Sequence, residues 1–285
     1  MIELPEAEVI TAQIRETLVG KTVQNTVAAQ NPHAFAWYTG DPADYHDKLQ
    51  GKTITGASAG GHYTCGGNME IYLDDMVLVI TTPIRYYPPG TKLPPKHQLM
   101  LEFTDFSAIT CSVQMWGAMF CFQKDDKTGI PKEHIINPQP SPLEDAFNHS
   151  FFMELFHDTP QKYSVKAFLA TEQRIPGVGN GVCQDVFFRA GIHPKKKLME
   201  LSQAEKDLLF ECFKVTLLEM TAQGGRDTER DLYGVFGGYK TILSKKTVGA
   251  PCAQCGEAII REPYLGGNIY FCPACQPYRA VNAKQ

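Results

Sequence analysis

No stretch of this 285-residue chain approaches the roughly 20 apolar residues that a membrane-spanning helix needs, and no basic segment leads into an apolar run at its start. Neither a span nor a secretory leader is expected, and the cytoplasm is the expected location. The chain also lacks a positive excess: its formal net charge is −4, so bulk charge does not point to nucleic acid. Its nine cysteines are odd in number and follow no secretory signal, which argues against a disulfide framework. Tryptophan is scarce, with two residues. What is present, 43% hydrophobic and 20% charged, is ordinary for a globular protein and long enough for two domains.

Charge is unevenly spread. Residues 1–150 carry 10 Lys+Arg against 17 Asp+Glu, a balance of −7, whereas residues 151–285 carry 17 against 14, a balance of +3. Salt screens each charge beyond about 8 Å, so a locally positive surface can bind phosphate on an acidic protein.

The opening MIELPEAEVI reads as a helix start. Pro5 suits the first turn, where a missing N–H costs nothing, and Glu6 and Glu8 suit the positive end of the dipole. Val9, Ile10, Ile14 and Leu18 continue as an apolar stripe. From about 22 to 125 the chain reads as short strands: GKTVQNTVAAQ, KTITGASA, MEIYLDD, MVLVITT, HQLMLEFTD and SAITCSV. Closely spaced turn residues favour an antiparallel sandwich or barrel over βαβ units. A polar, proline-rich passage at about 123–145 reads as a linker. Helical patterns follow in DAFNHSFFMELFHD, SVKAFLAT, NGVCQDVFFRAG and SQAEKDLLFECFKVTLLEMTAQGG, where Ser202 and Glu205 match a capping box and Gly224 and Gly225 end the helix.

Two segments carry chemistry. Cys252-x2-Cys255 and Cys272-x2-Cys275 have the spacing of two knuckles around one tetrahedral ion, and four thiolates leave no open coordination position, so a structural Zn²⁺ is expected. The intervening GEAIIREPYLGGNIYF reads as a hairpin turning at Leu265–Asn268. The alternative is four buried free thiols. The other five cysteines (Cys65, Cys111, Cys121, Cys183, Cys212) are scattered and expected to pack as small apolar residues. The second segment, Pro176-Gly177-Val178-Gly179-Asn180, opens a helix whose free N–H groups suit an anion such as phosphate; a purely steric G-x-G turn is the alternative.

Taken in order, ELPE, PGVGNGVCQDVFFRAGIHP and CxxC-x16-CxxCQ resemble the formamidopyrimidine-DNA glycosylase and endonuclease VIII family over nearly the whole chain. The resemblance implies an α+β fold: an N-terminal β-sandwich with a leading helix (1–130), a helix-two-turn-helix DNA-binding domain (131–225), and a basic loop with a zinc-finger β-hairpin (226–285). It implies a monomer that clamps double-stranded DNA in a cleft and works at the nucleoid. Family members flip a damaged base out, cut its glycosidic bond and nick the abasic strand. Glu3 matches the family's acid at the deoxyribose and Glu6 the second motif glutamate. Asn180, preceded by Gly179, matches the asparagine that holds phosphates of the flipped nucleotide, and Cys252, Cys255, Cys272 and Cys275 match the zinc ligands.

Other positions depart from the family pattern. Its nucleophile, a proline imino group freed by removal of the initiator methionine, is replaced by Ile2. A large side chain there hinders that removal, so Met1 is expected to stay. Its α-amine titrates near about 7.7–8.0 and would offer a Schiff base up to about 3.6 Å of chain further out. The phosphate-binding R-G-K-Y becomes Gly60-Gly61-His62-Tyr63, which places His62 where the family has lysine. The wedge D-P-R-R-F-G becomes Ser112-Val113-Gln114-Met115-Trp116-Gly117. There Trp116 is expected either to stack between bases or to be a core residue, and Gln114 to reach the orphaned partner base. Ile80 falls near the methionine filler, and Gly267 and Asn268 stand at the hairpin position of an arginine. Lys240, Lys245 and Lys246, with Lys195–Lys197, either restore charge toward phosphate or form a solvated face. Two functions follow from the resemblance: a glycosylase with weak or absent AP lyase activity, or a noncatalytic DNA-binding relative that marks lesions.

Overall fold

The computed structural model describes residues 2–60, 68–124, 126, 139–172 and 174–278. The chain forms two compact units, residues 1–139 with 220–239, and residues 140–219 with 240–285. This partition differs from the three expected segments, because 226–239 belongs with the first unit rather than with the hairpin.

The first unit begins with α1 (Leu4–Thr17), with Glu3 as the residue before the helix and Pro5 in its first turn. The strands are β1 (Val23–Ala28), β2 (Ala36–Tyr38), β3 (Ile54–Ala59), β4 (Met69–Leu73), β5 (Met76–Ile80), β6 (Ile84–Tyr87), β7 (Leu99–Phe103), β8 (Ala108–Cys111) and β9 (Gly117–Gln123), with a short α2 (Tyr45–Leu49) after β2. One sheet has the order β1-β7-β8-β6 and the other β2-β9-β5-β4-β3. Pairing is antiparallel throughout except at β2, which runs parallel to β9. Ile71, Leu78 and Ile80 of one sheet and Leu99, Leu101 and Ile109 of the other share one core with Ile10 and Ile14 of α1 and with Leu18, which caps its end. This is the expected sandwich with its leading helix.

Strand β5 explains its own sequence. MVLVI is apolar throughout because both faces are covered: Met76, Leu78 and Ile80 join the main core, while Val77 and Val79 pack with Ala118, Phe120 and Phe122 on the other side.

The second unit holds α3 (His149–Asp158), α4 (Val165–Ala170), α5 (Asn180–Arg189) and most of α6 (Gln203–Ala222), then the hairpin β10 (Ile260–Tyr264) and β11 (Gly267–Phe271). Asn148 and Ser164 cap α3 and α4 through their side chains. Ser202 and Glu205 exchange side-chain and backbone hydrogen bonds at the start of α6, the reciprocal pattern expected there. The hairpin turn is tighter than expected: Leu265 and Gly266, both at positive φ, form a two-residue turn, and Gly267 and Asn268 already pair with Tyr264 and Pro263.

Candidate functional site

The acidic start of α1 is buried, and a cation from the far end of the chain meets it. Arg226 grips Glu6 with two prongs, Nε to Oε1 at 2.9 Å and Nη2 to Oε2 at 2.7 Å, and its backbone N–H adds a 3.0 Å bond to Oε1. Its Nη1 stands 3.4 Å from Glu3 Oε1. All three side chains are buried. Gly225 makes this approach possible: it sits at φ +89°, and a Cβ there would meet the Glu6 side chain at 3.4 Å. The segment then folds back so that Gly237 crosses Gly225, where a Cβ would lie 2.1 Å from the Gly225 carbonyl oxygen.

Burial alone would draw the proton from Arg226, but Glu3 and Glu6 outweigh it and hold its pKa well above the usual value. Glu229, which follows Arg226 in the same strap, has its carboxyl pKa pushed up by burial; Arg226 opposes that shift, and Glu6 and Glu3 reinforce it. Among the described residues, the cluster thus sets the carboxyl groups of Glu3, Glu6 and Glu229 against the guanidinium of Arg226.

Ile2 contributes no reactive group. Its side chain is 1% exposed within the main core and its backbone N–H points to the Thr81 carbonyl at 3.4 Å. Met1 and His62 lie outside the described residues. Ile80 is fully buried on the inner face of β5. Gln114, Met115 and Trp116 are exposed in the loop between β8 and β9, which excludes the core alternative for Trp116.

In the second unit, Asn180 opens α5 behind Gly179. Asn180 Nδ2 donates to the Asn268 carbonyl at 3.0 Å. Gln184, one turn on, donates to Asn180 Oδ1 at 3.0 Å and accepts from the Tyr270 N–H at 3.0 Å. Lys166, buried on α4, donates to the Tyr264 carbonyl at 2.5 Å, and burial lowers its pKa. Gly267 lies against this group, its Cβ direction 3.7 Å from Lys166 Nζ. Asn180, Gly267 and Asn268 are therefore brought together. The sequence reading missed Lys166 and Gln184; the i, i+4 spacing of Asn180 and Gln184 was the available signal.

Lys240, Lys245 and Lys246 are exposed. Lys195 and Lys196 instead pair with Glu262 and Glu205, so that part of the expected positive cluster is neutralised. Asp185, fully buried on α5, accepts from the Ile242 and Leu243 N–H groups at 2.9 and 2.8 Å, anchoring the approach to the cysteine block. Replacing Asp185 with Ala should cost about 3 kcal/mol, since charge-assisted bonds are lost and two N–H groups orphaned; Asn should recover part of this in urea denaturation.

Cys252, Cys255, Cys272 and Cys275 place their sulfurs within 4.8 Å of one another. The separations Cys252–Cys275 of 3.8 Å and Cys255–Cys272 of 3.4 Å are close to the roughly 3.8 Å edge of a tetrahedron with 2.3 Å metal–sulfur bonds. The set fits one metal ion with no position left over.

Residues 139–230 match the formamidopyrimidine-DNA glycosylase H2TH domain, and residues 1–79 match the formamidopyrimidine-DNA glycosylase N-terminal domain. The chain belongs to the formamidopyrimidine-DNA glycosylase family. It is 27% identical to the formamidopyrimidine-DNA glycosylase of Cytobacillus firmus and 28% identical to that of Geobacillus kaustophilus, in both cases over 97% of this chain and 100% of the relative. Its fold is similar to that of the Lactococcus lactis family member solved with abasic-site DNA, with a TM-score of 0.80 at 23% identity over 97% of this chain and 100% of that one. It is also similar to the MutM (Fpg) protein of Thermus thermophilus, with a TM-score of 0.77 at 23% identity over 96% and 98%. No helix among the described residues is long and apolar enough to cross a membrane.

Proposed function

We propose that this protein binds double-stranded DNA as a monomer, takes a damaged base out of the stack, and hydrolyses its glycosidic bond with Glu3, without a strand-nicking step through residue 2. The observation that carries this is the unequal hold of Arg226 on the two motif glutamates. It clamps Glu6 with three bonds of 2.7–3.0 Å, whereas its approach to Glu3 is a looser 3.4 Å contact. Glu6 thus sets the geometry, and Glu3 is the carboxylate that acts. Glycosidic cleavage passes through a sugar with oxocarbenium character, and a buried cluster richer in carboxyl groups than in guanidinium favours that developing positive charge. The C1′–N bond breaks, the base leaves with a proton, and water directed by Glu3 supplies the new oxygen.

Gln114 and Trp116 fill the gap left by the base; Asn180 at the start of α5, with Gly179, Gly267, Asn268, Lys240 and His62, serves the backbone. The four thiolates hold a structural Zn²⁺ that keeps the hairpin folded. The expected outcome is release of at least one oxidised or alkylated base from a duplex panel, falling by about 10²–10³ in Glu3→Gln. Borohydride should trap no adduct with abasic DNA. An adduct that disappears on blocking the terminal amine would assign the chemistry to Met1 instead.

A second reading has its own support: the same Arg226 engages both motif glutamates and offsets one of their two charges, which suits a protein that marks lesions without cutting. Tight binding with no base released anywhere in the panel would favour it. Failure to bind DNA at low salt would remove both.

A further inference from the structure

Hydrolysis sends the base away with a proton, and Glu3 and Glu6 are both engaged by the Arg226 guanidinium. A third carboxyl stands beside them. Glu229 follows Arg226 in the same strap, and its N–H donates to the Arg226 carbonyl at 3.1 Å, closing a turn that brings the two residues together. Its own carbonyl accepts from the Gly237 N–H at 3.2 Å. Since the Arg226 N–H is itself bonded to Glu6 Oε1, the backbone that carries Glu229 is fixed against the start of α1.

The Glu229 side chain is half-buried, and among the described residues its carboxyl group makes no hydrogen bond and no ion pair. The guanidinium groups near it are committed elsewhere. Arg226 serves Glu6 and Glu3, and Arg85 of β6, which also interacts with Glu229, gives its Nη1 to the Ile84 and Asp231 carbonyls at 2.8 and 2.6 Å. Glu229 is thus the uncommitted carboxyl of the cluster. Burial, reinforced by Glu6 and Glu3, raises its pKa above the usual value against the opposing pull of Arg226 and the terminal amine. One carboxylate beside a cation and a second carboxyl disposed to keep its proton make the division of labour that glycosidic cleavage uses.

We propose that Glu229 is a catalytic acid of this site, giving its proton to the leaving base while Glu3 directs water to the sugar. The proposal rests on the hydrolytic reading above. As the C1′–N bond breaks, its electron pair stays with the base, which takes the Glu229 proton and departs neutral. The oxygen of water bonds to C1′, and the proton it loses passes to Glu3. Transfer of that proton through solvent to Glu229 restores the starting state.

The test uses the full chain and two duplexes, one carrying a neutral oxidised base and one carrying 7-methylguanine, whose cationic ring departs neutral without an added proton. Glu229→Gln keeps size and polarity but has no acidic proton. Its kcat on the neutral base should fall by about 10²–10⁴, with duplex affinity unchanged, whereas release of 7-methylguanine should change far less. In the wild type, kcat on the neutral base should decline as pH rises through the raised Glu229 value, and the variant should lose that decline. Equal losses on both bases, no loss on the neutral one, or an alkaline decline that persists in the variant would overturn the role. A wild type that releases only 7-methylguanine would also overturn it, with hydrolysis itself intact. If the wild type releases neither base, the acid role falls together with the hydrolytic reading.

Discussion

Replacing Arg226 with Met is expected to destabilise the first unit by about 3–5 kcal/mol, the usual consequence of removing one partner from a buried ion pair. Domains are commonly stable by about 5–15 kcal/mol, so such a loss is a large share of the whole. The cause is the carboxylates left behind: Glu3 and Glu6 stay buried with the guanidinium gone. The gap between wild type and variant should therefore narrow on acidification, as the uncompensated negative charge is removed. Glu229 adds to this in the same direction. Its folded pKa is raised, so its contribution is fully present below the unfolded value and is lost as pH rises through the folded one. Arg226 normally opposes that rise, and without it the Glu229 value climbs further. Arg226→Lys keeps the charge but cannot supply the two-pronged grip, and should fall between the two. Urea denaturation at pH 7 and at pH 4 measures all of this, and an Arg226→Met midpoint equal to wild type at pH 7 would contradict it.

Stripping the metal should have the second large effect. The hairpin of β10 and β11 is small, most of its strand residues are exposed or half-buried, and its own core is Ile259, Cys252 and Cys272 with Phe188 and Leu243. A structural zinc supplies on the order of 10–16 kcal/mol of apparent binding free energy in such elements, far more than this core can offer. One zinc per chain is expected by elemental analysis. Chelation should abolish hydrogen-exchange protection across 250–278, and protection of the Asn268 and Tyr270 region should disappear with it, since those residues hold Asn180 and Gln184. DNA affinity should fall while the β-sandwich keeps its protection. Serine at Cys272, the most deeply buried ligand, should reproduce the chelated state. Full protection of the hairpin without metal would refute the zinc assignment.

What could be read from the sequence was local. The Ser202–Glu205 box, the two cysteine knuckles and the helix opening at Asn180 each lie within a few residues and carry their own stereochemistry. In MVLVI, apolar on both faces, the pattern alone could not show that Ile80 turns to the main core while Val79 turns to the other side. Strand β2 escaped notice because its three residues gain their order from β9, some 80 positions later. Arg226 was the least legible of all. In GGRDTERD it is one charge among several, and nothing nearby says that its partners stand 220 residues earlier.

That separation also bears on how the protein is made. Arg226 follows Glu6 by 220 residues, so at roughly 5–20 residues per second the counter-charge is synthesised about 10–45 s after the acid it pairs with. Until the strap has emerged and closed through its glycine crossing, the growing N-terminal sandwich holds carboxylates that burial would penalise. The nascent chain therefore has reason to keep the start of α1 in water, and this locking step waits until Arg226 and its strap have emerged.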